Sequence, residues 1–280
     1  MILRETLPKS LANVKEAIAK LECCIQEIRQ WMATNFLHLN DSKTELLLIG
    51  TKQSLAKLPE ISFKIGGDTI SPSDSARNIG AIFDQNLNMQ NHISSVCKGA
   101  WYHLRKIGQI RQYLDNNKAA MLMHSFVSSR LDSFNSLLSG VPKEQLKKLQ
   151  RVQNAAARIV TRTPKHDHIT PVLKELHWLP IPQRIEYKIL LLVFKSLYGL
   201  APGYLNDLLQ WTGTTRNLRH HDAFLLKLSK TRLVTFGDKA FSNAGPRLWN
   251  TLPLDLRCID SVDIFKSRLK TYLFKQAYDS

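Results

Sequence analysis

Lys147, Arg151, Arg158 and Arg162 recur at spacings of four, seven and four residues, which on an α-helix sets them along one face. No acid stands between Gln145 and Thr163 to neutralise them. Such a row repels itself unless an outside anion takes up the charge, and nucleic-acid phosphates do so with release of counterions. A solvated charged face is the plain structural alternative. Upstream, Lys98, Arg105, Lys106 and Arg111 extend the candidate nucleic-acid-binding set.

Catalytic chemistry is harder to assemble. Phosphoryl transfer through two metal ions about 3.5–4 Å apart needs clustered carboxylates. Asp41, Asp68, Asp74 and Asp84 stand singly, and each reads first as a turn or cap residue. His166-Asp167-His168 with His177, and the pair His220-His221, are of types that bind zinc, yet no Cys or Glu is well placed beside them. There is no Gly-x-Ser-x-Gly elbow, no Gly-x-x-x-x-Gly-Lys-Ser/Thr loop and no Gly-x-Gly-x-x-Gly fingerprint. Trp178, Trp211 and Trp249 could stack on bases, but a tryptophan beside Leu-Pro reads more readily as core.

The elements that must position these residues are visible in the hydrophobic pattern. Val14, Ile18, Leu21, Ile25, Ile28 and Met32 alternate spacings of four and three, an amphipathic helix. Glu45–Gly50 predicts a buried strand. Ile61, Phe63 and Ile65 lead through Gly66-Gly67-Asp68 to Ile70, a hairpin. Asn78–Asp84 predicts one more short strand. From His92 the pattern turns helical, over 92–107 and 115–139, punctuated by Gly108 and Gly140-Val-Pro142. A helix over about Lys143–Arg162 has Leu146, Leu149, Val152, Ala156, Ile159 and Val160 as its apolar side. Gln183–Tyr198 forms another, which Gly199 ends. Ser261 is a candidate N-cap for Val262–Gln276, whose later turns carry Arg268, Lys270 and Lys275. The fold class is therefore α+β, a small strand-bearing front followed by a mainly helical remainder.

Charge follows the same division. The 280 residues carry a net charge of +16. Residues 1–97 hold 10 basic against 10 acidic side chains, residues 98–165 hold 13 against 3, and residues 166–280 hold 16 against 10. A basic middle behind a neutral front suits a polyanionic partner. Cys23, Cys24, Cys97 and Cys258 form no Cys-x-x-Cys pair, which points to a reducing interior, cytoplasm or nucleus. No leader is visible in the first residues. The longest apolar run, Ile189–Phe194, is far short of the ~20 residues that span a bilayer.

Two blocks carry a family resemblance. Trp31-Met-Ala-Thr-Asn-Phe-Leu-His-Leu-Asn-Asp-Ser-Lys-Thr-Glu45 is followed by Asn78-Ile-Gly-Ala-Ile-Phe-Asp84. Together they resemble the stretch of a non-LTR retrotransposon reverse transcriptase just after its catalytic Tyr-x-Asp-Asp turn. Further blocks keep the same order: Arg151-Val-Gln-Asn-Ala-Ala-Ala-Arg158, Asp167-His-Ile-Thr-Pro-Val-Leu173, Leu176-His-Trp-Leu-Pro180, Gly199-Leu-Ala-Pro202, Pro246-Arg-Leu-Trp-Asn-Thr-Leu-Pro253 and Phe265-Lys-Ser-Arg-Leu-Lys-Thr-Tyr-Leu-Phe274. They are most similar to elements of the jockey and chicken-repeat type.

The resemblance implies a palm remnant over 1–91, a basic helical thumb over 92–165 and a C-terminal helical region over 166–280. It implies RNA, DNA or an RNA–DNA hybrid as partner. Mg²⁺ is the cofactor of the intact family enzyme, but this chain has no Asp-Asp dipeptide with which to hold it. It is therefore expected to be inactive alone, without catalytic carboxylates. Asn40 and Lys43 match the block whose lysine approaches the leaving pyrophosphate in such polymerases, so Lys43 is the one possible catalytic remnant. The alternatives are an active enzyme whose upstream portion precedes Met1, and a translated relic with no selected function.

Overall fold

The structure, a computed structural model, describes residues 11–40, 43–59, 61–65, 68–212, 224–231 and 234–279. The fold is α+β, with two short antiparallel hairpins and a mainly helical remainder, and the chain divides into two compact units, Met1–His92 and Ile93–Ser280.

In the first unit, α1 (Leu11–Thr34) forms where the four-three periodicity predicts it. Its Ile18 and Leu21 pack, with Leu46, Leu48 and Leu58, against the buried pair Ile61 and Phe63. Thr51 caps the single turn α2 (Lys52–Leu55) by accepting the Ser54 N–H. The expected hairpin is present as β1 (Phe63–Ile65) and β2 (Asp68–Ile70), with Phe63 opposite Ile70; its Gly66-Gly67 turn lies outside the described residues. The Glu22 carboxylate accepts the Lys64 N–H at 3.0 Å and ties α1 to β1.

Two strand predictions are corrected. Glu45–Gly50 is not a strand: it makes one isolated bridge, Leu46 to Pro72. Its backbone bonds go to loop partners instead, Ser73 N–H to Leu46 O and Gly50 N–H to Gln85 O, so no ladder runs along it. Asn78–Asp84 is not one strand but the turn and second arm of a hairpin, β3 (Ser75–Asn78) and β4 (Ala81–Asp84). Ile79 and Gly80 make its two-residue turn, with φ of 48° and 95°. Two positive φ values match the right-handed twist of the arms. A β-branched residue seldom takes that conformation, which is why the sequence hid the turn.

The helical remainder begins with α3 (Gln90–Ile110), which runs through Gly108 rather than stopping there. After a 3₁₀ turn at Arg111–Tyr113, Asp115 caps α4 (Asn116–Met123), and a π-helical turn, His124–Ser128, continues into α5 (Ser129–Asp132). The helix expected over 115–139 therefore ends early: Ser133 is extended and Phe134 has φ 55°, before a 3₁₀ turn at Asn135–Leu138. Next come α6 (Lys143–Thr161), α7 (Ile169–Glu175) and α8 (Ile181–Leu197). Gly199, at φ 69°, ends α8 as expected, with Leu200 N–H donating to Lys195 O at 2.7 Å. Then follow α9 (Gly203–Asn206), α10 (Val234–Gly237), α11 (Phe241–Asn250), α12 (Leu254–Arg257) and α13 (Val262–Tyr278).

Helix α8 is the centre of this second unit, packed by α6, α11 and α13. Phe194 stacks on Phe265 at 4.2 Å between centroids, and the fully buried Trp249 lies beside them. Gly245 allows α11 to approach α8, because a Cβ there would stand 2.9 Å from Val193 Cγ2. Trp178 and Trp249 are core, as expected; Trp211 is half-exposed, edge-on to Phe224. Ser261 holds the N-cap position of α13, but its hydroxyl makes no capping bond. Among the described residues, no helix is long and apolar enough to cross a membrane.

Candidate nucleic-acid interface

The expected apolar side of α6 is buried at Leu149, Val152, Ala156 and Val160, while Leu146 and Ile159 are only half-covered. Gln153 belongs to the same face and is 1% exposed. Its amide donates to Leu179 O at 2.8 Å and its oxygen accepts from Gln150, whose own oxygen takes the Ile181 N–H at 2.9 Å. This satisfied glutamine pair fixes α6 against the start of α8. Hydrophobic periodicity alone gives no sign of it.

The cationic row is less uniform than its spacing suggests. Lys147 pairs with Glu144 at 2.6 Å, the acid one residue before the acid-free stretch. Arg158 donates to the carbonyls of Pro164 and Asp167. Arg162 is not helical at all: at φ 59° it is the left-handed C-cap, and it donates to the carbonyls of Arg111 and Leu114 at 3.3 and 3.4 Å. Arg151 alone points outward with no ion pair or hydrogen bond to any described residue.

Arg111, expected on the binding surface, is inside. It is 7% exposed and donates to Ile159 O and Val160 O, both at 2.7 Å, and to Leu114 O and the Asn116 side chain. Ile159 and Val160 are in the last turn of α6, whose carbonyls have no partner within the helix. The guanidinium satisfies them and meets the negative end of the helix dipole. Burial lowers its pKa from the usual arginine value, and the neighbouring Arg162 adds to the effect while Asp115 opposes it.

Helices α3 and α6 meet at Gly108, where a Cβ would stand 3.8 Å from Ile159 Cδ1. An open concavity there is lined by Gly108, Ala155 and Ile159 together with the cations Arg111, Arg158, Arg162 and Lys165. Burial raises the Cys97 thiol pKa, with Lys148 pulling the other way. Lys98, Arg105 and Lys106 project from the exposed side of α3, and none forms an ion pair with a described residue. Trp101 and Tyr102 sit among them, 45% and 59% exposed, and Lys106 lies 6.0 Å from the centre of the Tyr102 ring. Trp101 and Tyr102 stand three and four residues after Lys98, a helical spacing visible in the sequence itself.

The candidates for bond-making chemistry are not brought together. Asp84 is buried and its carboxylate accepts the N–H groups of Asn86, Asn88 and Met89 at 3.1, 3.0 and 2.7 Å. It organises the turn into α3, the cap role foreseen for it. Asp74 accepts from Gln85; Asp41 and the Asp68 side chain lie outside what is described. Among the described residues no group of three or more His, Cys, Asp or Glu could hold a metal ion. His166 and His168 are exposed, and His177 stacks on Phe274 at 5.6 Å; His220-His221 falls outside the described residues. Lys43 is exposed and its N–H donates to the Asn40 side chain at 3.1 Å, a turn at the surface. Comparison of the chain with protein-family models, with curated proteins and with solved structures found no match.

Proposed function

We propose that this chain corresponds to the rear palm, thumb and C-terminal helical region of a non-LTR retrotransposon reverse transcriptase of jockey or chicken-repeat type, and that its own capacity is to bind RNA, DNA or their hybrid. The ordered sequence blocks support the origin. The observation that carries the binding role is the outward cationic surface of α3 and α6: Lys98, Arg105, Lys106 and Arg151 are exposed and none forms an ion pair with a described residue, although Glu144 lies close enough to Arg151 to feel its charge. Catalysis is not assigned to this chain, because a two-metal centre needs carboxylates gathered within a few ångströms.

Binding to labelled single-stranded RNA and to an RNA–DNA hybrid, titrated over a range of salt concentrations, tests the reading. Log K is expected to fall steeply with log salt, by roughly 0.7–0.9 for each phosphate neutralised. A flat salt response, or no binding at low salt, overturns it. In the same assay, primer extension with Mg²⁺ or Mn²⁺ is expected to give no product above a blank.

A further inference from the structure

We infer that the outer face of α3 is a stacking platform for unpaired bases, so that the nucleic acid held there is single-stranded; this rests on the nucleic-acid reading above and names the form of ligand it takes. Lys98, Trp101, Tyr102, Arg105 and Lys106 follow the i, i+3, i+4, i+7, i+8 pattern that gathers residues on one side of a helix. At ~100° per residue they centre almost opposite Ile93, Ala100, Leu104 and Ile107, the buried side of α3. The hydrophobic core therefore already has its own face, and the two large rings are surplus to it.

Charge selects the occupant. From Gln90 to Ile110 the helix contains no aspartate or glutamate, and the three cations flank the rings instead of shielding them with ion pairs. A second copy of the same face would bring like charges together, which disfavours self-association. A polyanion that also carries flat apolar rings satisfies both features. Single-stranded nucleic acid does so: bases stack on aromatic side chains and phosphates meet the lysines and arginine. A duplex offers phosphates but keeps its bases stacked inside. Lys98 and Arg105 are about 10 Å apart along the axis, roughly three nucleotide steps of ~3.4 Å, so one short run of bases covers the face.

The test compares the full chain's affinity for an oligo(dT) with that for an abasic oligonucleotide of equal length, for a duplex and for poly-glutamate. Wild type is expected to hold oligo(dT) at least about 10-fold tighter than the abasic strand. Trp101→Ala and Tyr102→Ala are each expected to cost at least about 5-fold on oligo(dT). Both should leave abasic affinity, salt slope and helical circular dichroism unchanged, and Trp101→Phe should restore most of the loss.

Equal wild-type affinity for oligo(dT) and the abasic strand overturns the platform while leaving salt-dependent nucleic-acid binding in place. That comparison needs no variant, so it stands even if a substitution impairs folding. Equal affinity for poly-glutamate overturns it in favour of a general polyanion surface. Self-association abolished by Trp101→Ala assigns the face to a second copy and also overturns it. Absence of binding to every polyanion at low salt removes the underlying reading as well.

Discussion

The C-terminal end of α6 and the outer face of α3 are both rich in cations, and they use them in opposite ways. At the end of α6, the buried Arg111, the half-buried Arg158 and the exposed Arg162 all donate to backbone carbonyls. On α3, Lys98, Arg105 and Lys106 turn outward beside exposed aromatics. A helix end supplies unpaired carbonyls and a negative pole, so cations gather there for structural reasons; a mid-helix face supplies neither. Cationic spacing therefore identifies a helix face, but the position along the helix decides whether its charge is already taken.

The comparison breaks most visibly at Arg111. Arg111→Gln leaves the last carbonyls of α6 without their donor, and is expected to destabilise the protein by about 3 kcal/mol. Tm should fall by roughly 6–12 °C. Arg105→Gln, six residues earlier, should change stability by no more than about 0.5 kcal/mol, as an ordinary surface substitution does. Similar losses from both would erase the distinction.

Gln153→Ala comes next. It removes the buried amide that joins α6 to Leu179 O and leaves the Gln150 amide short of an acceptor, a cost of about 2 kcal/mol read from denaturant midpoints. Tyr278→Phe is smaller, about 1 kcal/mol, for the lost bond from its hydroxyl to Trp178 O. Burial pushes the Tyr278 pKa up to about 12. A raised phenol contributes stability that is complete below pH 10 and is lost as pH climbs toward 12, so the wild type should weaken over that window more than Tyr278→Phe.

The smallest effect concerns the first unit. His92 is buried and accepts the Ile82 N–H on Nδ1, and burial lowers its pKa from 6.5. A depressed histidine keeps its contribution above pH 6.5 and loses it as pH falls through the lower folded value. Mild acid should therefore loosen the hairpin of β3 and β4 in the wild type, followed by hydrogen exchange at Ile82, and His92→Gln should flatten that dependence.

Much of this was legible in the residues. The helices α1, α6 and α8, the glycine that ends α8 and the core roles of Trp178 and Trp249 follow from periodicity and capping chemistry, which are local. What escaped depends on partners distant in sequence. Arg111 reads as a surface cation until α6 brings its carbonyls 48 and 49 residues away in sequence. Glu45–Gly50 has the composition of a strand, but its hydrogen-bond partners are loops. Ile79 occupies a turn position that only the pairing of β3 with β4 imposes. Trp101 and Tyr102 are visible in the sequence, yet only burial shows that they lie opposite the core side of α3.

On the proposed reading, the cations left without an ion pair on α3 and α6 bind nucleic acid, while those bonded to backbone carbonyls hold the fold. The most direct measurement is the salt slope of oligonucleotide binding for a variant with Lys98, Arg105, Lys106 and Arg151 all changed to Gln, taken beside its melting curve. The slope is expected to shrink by roughly 3–4 units, with Tm close to that of the wild type. An unchanged slope in a folded variant would contradict the account.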